Sequence, residues 1–160
     1  FCYDVAASDP AAAQRVKGSV SALAFNADFN VVFAATFDGA VSIYNGETLE
    51  FLDAVALPAG VIQLRLFGNL LVAGTLRYTA LHLFDIRYYD KPLALFARSA
   101  PTNQRIGFDA HGSLLATGDD AGMVLFYDLK NLSFLAQFPL SCLFFISSFH
   151  FFFYFTNQVF

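Results

Sequence analysis

Leu81–Phe108 reads LHLFDIRYYDKPLALFARSAPTNQRIGF, and its first half is a short apolar run closed by an aromatic–Asp pair, Phe84-Asp85. Pairs of the same kind stand at Tyr3-Asp4, Tyr44-Asn45 and Tyr127-Asp128, so that successive pairs lie 41, 40 and 43 residues apart. Self-similarity at a fixed period of this size marks a repeat architecture in which each repeat is one supersecondary unit.

Working outward from Phe84-Asp85, each complete unit contains four apolar runs. The first runs are Val20–Phe25, Val61–Leu66 and Gln104–Phe108, and the second are Val31–Thr36, Leu70–Thr75 and Leu114–Gly118. Turn signals follow the second run, Asp38-Gly39 in one unit and Asp120-Ala121-Gly122 in another, while Arg77-Tyr78 replaces them in the middle unit. The third runs, Val41–Tyr44, Leu81–Phe84 and Val124–Tyr127, carry the aromatic pair. Leu49–Leu57, Leu93–Phe96 and Phe134–Phe138 are the weaker fourth runs.

Short β-rich runs punctuated by Gly, Asp and Asn read as strands joined by tight hairpins. Four such strands at this period form a β-propeller blade. The predicted fold is all-β, a partial WD-repeat propeller with about three four-stranded blades and the end of another. The expected division is 1–19 for the end of a preceding blade and its connector, then blades at 20–57, 58–101 and 102–139, then a Phe-rich tail at 140–160. Residues expected to build the blades are Tyr3, Asp4, Asp38, Gly39, Tyr44, Phe84, Asp85, Asp120, Gly122, Tyr127 and Asp128. A turn Asp can accept hydrogen bonds from loop N–H groups, glycine tolerates positive φ, and a third-strand aromatic can fill the space between blades. No Trp occupies the aromatic position and no Gly-His pair precedes a first strand, so the His–Asp network usual in WD repeats is expected to be incomplete.

The formal net charge of −4 excludes a chain that binds nucleic acid through its overall charge. Its distribution is uneven. Between Val61 and Arg105 stand Arg65, Arg77, Arg87, Lys91, Arg98 and Arg105 against Asp85 and Asp90 alone. Arg87-Tyr88-Tyr89-Asp90-Lys91 mixes cations with stackable rings, a composition suited to single-stranded or looped RNA. Asn103, Gln104 and Arg105 add amides and a guanidinium fork, which can contact RNA or tie neighbouring blades together. Arg87, Asn103, Gln104 and Arg105 are the candidate RNA-contacting or structural residues, with Tyr88, Tyr89 and Lys91 accessory.

Catalytic motifs are absent, so the chain reads as a non-enzyme that needs no cofactor. His82 lies within a strand and His111 in a turn, both as structural or solvated residues, and Asp119-Asp120 lacks further ligand-spaced carboxylates, so no metal is expected. Cys2 and Cys142 have neither metal-like nor disulfide-dense spacing, and a reducing compartment is the default.

From Leu140 the text becomes LSCLFFISSFHFFFYFTNQVF. Phe, Leu and Ser have pyrimidine-rich codons, so the tail is expected to be non-native read-through near an intron boundary, or unstructured. A membrane anchor is the alternative: the apolar stretch approaches the ~20 residues that span a bilayer, although basic flanks are lacking. The start at Phe1 and the number of blades lead to the expectation that the chain is a piece of a larger propeller.

Phe84-Asp85-Ile86-Arg87, Pro92-Leu93, Thr102-Asn103-Gln104-Arg105-Ile106, Phe108-Asp109, Gly112, Thr117-Gly118, Gly122-Met123-Val124 and Tyr127-Asp128 together resemble the telomerase Cajal body WD-repeat protein family. The resemblance covers about residues 1–139 and is specific over 84–128. It implies a scaffold that binds small nuclear or telomerase-type RNA, supports ribonucleoprotein assembly with the associated proteins, and resides in the nucleus at the Cajal body, with the cytoplasm as the alternative. It also implies chaperonin-assisted folding. Generic protein–protein interaction is the rival reading.

Overall fold

The computed structural model describes residues 18–143. Tyr3, Asp4 and residues 1–17 of the segment expected at 1–19 to end a preceding blade lie outside the described residues, as do residues 144–160 of the tail expected at 140–160.

Twelve strands form three four-stranded antiparallel sheets. Blade 1 contains β1 (Val20–Asn26), β2 (Val31–Thr36), β3 (Ala40–Asn45) and β4 (Phe51–Ala56). Blade 2 contains β5 (Val61–Phe67), β6 (Leu70–Thr75), β7 (Ala80–Asp85) and β8 (Ala94–Ala97). Blade 3 contains β9 (Phe108–His111), β10 (Leu114–Gly118), β11 (Met123–Asp128) and β12 (Ser133–Pro139), followed by the one-turn helix α1 (Leu140–Leu143). Within each sheet the strands lie in chain order, which short hairpins dictate.

The first strand of blade 3 differs from the sequence expectation. Gln104–Phe108 reads as an apolar run, yet β9 begins only at Phe108. Gln104, Arg105 and Ile106 belong instead to a loop shaped by two local bonds: Gln104 N–H donates to Thr102 Oγ1, and the Ile106 carbonyl accepts from Arg98 Nη1.

Side chains alternate across each sheet, so every inner blade buries two faces. One seam packs Phe33, Ala35, Val41 and Ile43 of blade 1 against Leu71, Ala73 and Phe84 of blade 2. The other packs Val72, Leu81, Leu83 and Phe96 of blade 2 against Phe108, Leu115, Leu125 and Tyr127 of blade 3. Both Ala35 and Ala73 are fully buried, and the small side chains let the sheets approach. The third-strand aromatics Phe84 and Tyr127 each turn toward the preceding blade. Tyr127 stacks on Phe96 with centroids 4.4 Å apart, and its hydroxyl donates to the Ala97 carbonyl. Tyr44, on the far side of blade 1, stays half-buried and meets Phe51 edge-on at 5.8 Å.

The antiparallel order creates two rims. The upper rim carries the β2–β3, β6–β7 and β10–β11 turns with the β4–β5 and β8–β9 connections; the lower rim carries the remaining turns and connections. Backbone bonds lace each rim separately. Leu57 N–H donates to Gly39 O, Arg77 N–H to Thr102 O and Asp120 N–H to Ser99 O above; Gly46 N–H donates to Asn30 O, Ile86 N–H to Asn69 O and Leu129 N–H to Ser113 O below. Gly39 shows why its turn needs glycine: φ is +93°, and a Cβ would stand 2.6 Å from the Leu57 carbonyl oxygen.

Candidate nucleic-acid interface

The candidate contact residues do not form one patch. Arg87, Tyr88, Tyr89 and Lys91 lie in the β7–β8 connection on the lower rim. Asn103, Gln104 and Arg105 lie in the β8–β9 connection on the upper rim. Strand β8 runs between the two sets, and its four residues span about 13 Å of extended chain.

On the lower rim, the cation at the centre of the motif is already paired. Arg87 clamps Asp85 through Nε to Oδ1 at 2.9 Å and Nη2 to Oδ2 at 2.6 Å, while its backbone N–H also donates to Oδ1. Hydrogen bonding from Arg87 pulls the Asp85 carboxyl down to about 2. The third-strand aromatic–Asp–x–Arg string therefore closes its own turn. Tyr88 is 78% exposed, whereas Tyr89 packs against the seam between blades 1 and 2. Burial first, then Asp53 and Asp90, raises the Tyr89 hydroxyl above its ordinary value. Lys91 is exposed. The same rim carries Asp28, Glu47, Glu50, Asp53 and Asp90, all exposed, with Lys130 its other exposed lysine among the described residues. Asp128 closes the β11–β12 turn by accepting from Lys130 N–H and Asn131 Nδ2, and the Lys130 backbone bond leads the lowering of its pKa.

The upper rim has the opposite balance. In blade 1 the Asp38 carboxylate accepts from Thr36 Oγ1, and Ala40 N–H donates to that same hydroxyl. In blade 3 the turn carboxylate is Asp119, whose Oδ1 accepts from Ala121 N–H at 2.9 Å and Met123 N–H at 2.7 Å; Asp120 is exposed and contributes its backbone N–H. Gly122 completes that turn at φ +74°. Blade 2 has no carboxylate at the equivalent place. Arg77 occupies the turn with φ +50°, its N–H donates to Thr102 O, and its Nε donates to Asn103 Oδ1 at 2.5 Å. Asn103 thus fastens the β8–β9 loop to the β6–β7 turn of blade 2. Gln104 and Arg105 are exposed, and the Arg105 guanidinium has no hydrogen-bond or ion-pair partner among the described residues.

Beneath the upper rim, the three blades differ in what their second-strand threonine meets. Thr117 of blade 3 accepts from Arg98 Nη1 at 2.8 Å and donates to Gly107 O. Arg98 is 3% exposed, and its Nε and Nη2 are buried without partners; burial lowers its pKa to about 10. In blade 2, Thr75 Oγ1 and both ring nitrogens of His82 are buried without partners. His82 stacks on Tyr78 at 5.0 Å, and burial holds its imidazole below the ordinary range. Gln63 joins blades 2 and 3: Nε2 donates to Phe108 O at 2.8 Å and Oε1 accepts from Phe108 N–H at 3.3 Å. Arg65 adds an ion pair with Asp109 at 3.2 Å.

Arg77, Arg98 and Gln63 do not emerge as site or seam residues from the sequence. Arg77 did leave a signal, as a bulky cation at the place where the flanking repeats keep Asp and Gly. Among the described residues no group of His, Cys, Asp or Glu could hold a metal ion, and no helix is long and apolar enough to cross a membrane.

No protein-family model matches the chain. Over 78 residues it is 40% identical to the telomerase Cajal body protein 1 homolog of Drosophila melanogaster, a match that covers 44% of this chain and 14% of that protein. Among solved structures, the RRP9 WD40 repeats superpose with a TM-score of 0.64 at 14% identity, over 79% of this chain and 40% of that one. The computationally designed Ika4 protein gives 0.62 at 17% identity, over 78% and 75% of the two chains. A chain of the mitotic checkpoint complex gives 0.62 at 21% identity, over 74% and 36%. The three laced sheets and these superpositions make the chain part of a WD40-repeat β-propeller, with a distant relative in the Drosophila telomerase Cajal body protein 1 homolog.

Proposed function

We propose that the chain belongs to a non-enzymatic scaffold that binds small nuclear or telomerase-type RNA and supports assembly of the corresponding ribonucleoprotein in the nucleus. The observation that carries this reading is the 40% identity over 78 residues with the Drosophila telomerase Cajal body protein 1 homolog. A propeller presents rigid rims whose loops vary freely, which suits recognition rather than chemistry. Arg105, with Asn103 and Gln104, offers RNA a donor fork and amides. Arg87 acts mainly by shaping its turn through its clamp on Asp85. The expected partners are the RNA, the proteins of the same particle and a chaperonin during folding, and the expected location is the Cajal body.

The test is ultraviolet crosslinking of the full protein in nuclei, followed by sequencing of the attached RNA. Recovery of small nuclear or telomerase RNA, reduced by Arg105→Ala with the fold retained, supports the proposal. Crosslinks to proteins alone would replace it with a protein-interaction role.

A further inference from the structure

We infer that RNA is held at the upper rim, at a phosphate-contacting site made by Arg77 and Arg105 with Tyr78 beside them, and not at the basic aromatic loop on the lower rim. This inference rests on the RNA-binding reading and locates its contact.

Three observations converge on it. The β6–β7 turn replaces the acidic turns of the neighbouring blades with a cation, so Arg77 stands where the other two blades carry Asp38 and Asp119. Arg77 holds φ +50°, a region that glycine enters freely and a long side chain does not. Asn30, Leu49 and Leu132 hold similar φ in their turns, so what sets Arg77 apart is its charge. Asn103 engages only the Nε of Arg77, so among the described residues both Nη groups have no partner and can present a bidentate fork to a phosphate. Arg105 supplies a second guanidinium on the same rim that is unpaired among the described residues.

Charge decides between the rims. Asp38 and Asp119 above keep their charge but are held within their turns by hydrogen bonds, and with Asp120 they balance Arg77, Arg98 and Arg105. Below, exposed Lys91 and Lys130 share the rim with exposed Asp28, Glu47, Glu50, Asp53 and Asp90, and Arg87 is already clamped by Asp85. A polyanion therefore meets a balanced rim above, with Arg77 and Arg105 at its surface, and a net acidic rim below. Tyr78, half-buried and stacked on His82, adds a ring that is fixed before any base arrives.

The experiment measures binding of a fluorescein-labelled single-stranded oligouridylate to the full chain by anisotropy across a salt series. Arg77→Ala and Arg105→Ala are each expected to weaken binding several-fold and to lower the salt slope by about 0.7, the loss of one phosphate contact on a single strand. Arg77→Lys should restore most of the slope. Arg77→Gly relieves the positive φ, so its unfolding midpoint should match or exceed that of the parent while RNA binding still falls. Lys91→Ala and Tyr88→Ala should bind like the parent. Loss of binding in Lys91→Ala, Tyr88→Ala and Lys130→Ala, with the Arg77 and Arg105 variants unaffected, would overturn the upper-rim site and leave RNA binding standing. A parent chain that binds no RNA at low salt and yields no crosslinks in nuclei removes both.

Discussion

Burial without a partner gives His82 a cost that depends on pH. Both ring nitrogens are buried and unbonded, and burial holds the folded imidazole's pKa below its ordinary value. The unfolded chain takes up a proton near pH 6.5, so below that value the unfolded state binds more protons and stability falls. The urea midpoint is therefore expected to decline between pH 7.5 and 5, and His82→Phe should flatten that slope; an unchanged slope would show that the folded imidazole protonates freely. Asp85 behaves in the opposite range. Its folded carboxyl titrates near 2 and its unfolded counterpart near 3.9, so its contribution is present above about pH 4 and disappears as pH falls toward 2. Asp85→Asn should reduce the loss of stability over that interval, as read by circular dichroism during acid titration.

At the scale of strands and loops, blades 2 and 3 are joined by side chains that imitate backbone. The Gln63 amide occupies both the N–H and the C=O of Phe108, much as one more rung of a ladder would. Gln63→Ala leaves two buried polar groups unpaired and is expected to lower unfolding free energy by about 1–3 kcal/mol, measured by urea denaturation. Strand identity was legible in the sequence because alternation and turn residues report local physics: Val31–Thr36 and Leu70–Thr75 appear with the bounds their text implies. Gln104–Phe108 was not. Ile106 and Phe108 look like strand residues, but Arg98 and Thr102, outside that window, take the hydrogen-bonding groups that a ladder would need. The candidate site was half legible for the same reason. Residue types at 87–91 and 103–105 suggested RNA, but only the register of β8 reveals that the two groups occupy opposite rims. The pairing of Arg87 with Asp85 removes the most conspicuous cation from the lower group.

Across the whole molecule, stability is divided between two seams instead of one central core. Phe33, 1% exposed, belongs to blade 1 yet packs into the seam shared with blade 2. Phe33→Ala should cost about 3–5 kcal/mol. The accompanying rise in amide hydrogen exchange is expected in β2, β3, β6 and β7 together, while β10 and β11 change least. Equal deprotection of all three blades would instead indicate a single cooperative unit. The backward reach of Phe84 and Tyr127 into the preceding seam also sets a direction for biosynthesis. As the polypeptide leaves the ribosome, a finished blade keeps one apolar face wet until the next repeat of about forty residues has emerged, roughly 2–8 s at ordinary elongation rates. Every blade thus waits for its successor's aromatic to cover it, and that delay is the interval in which a folding chamber would be most useful to the nascent chain.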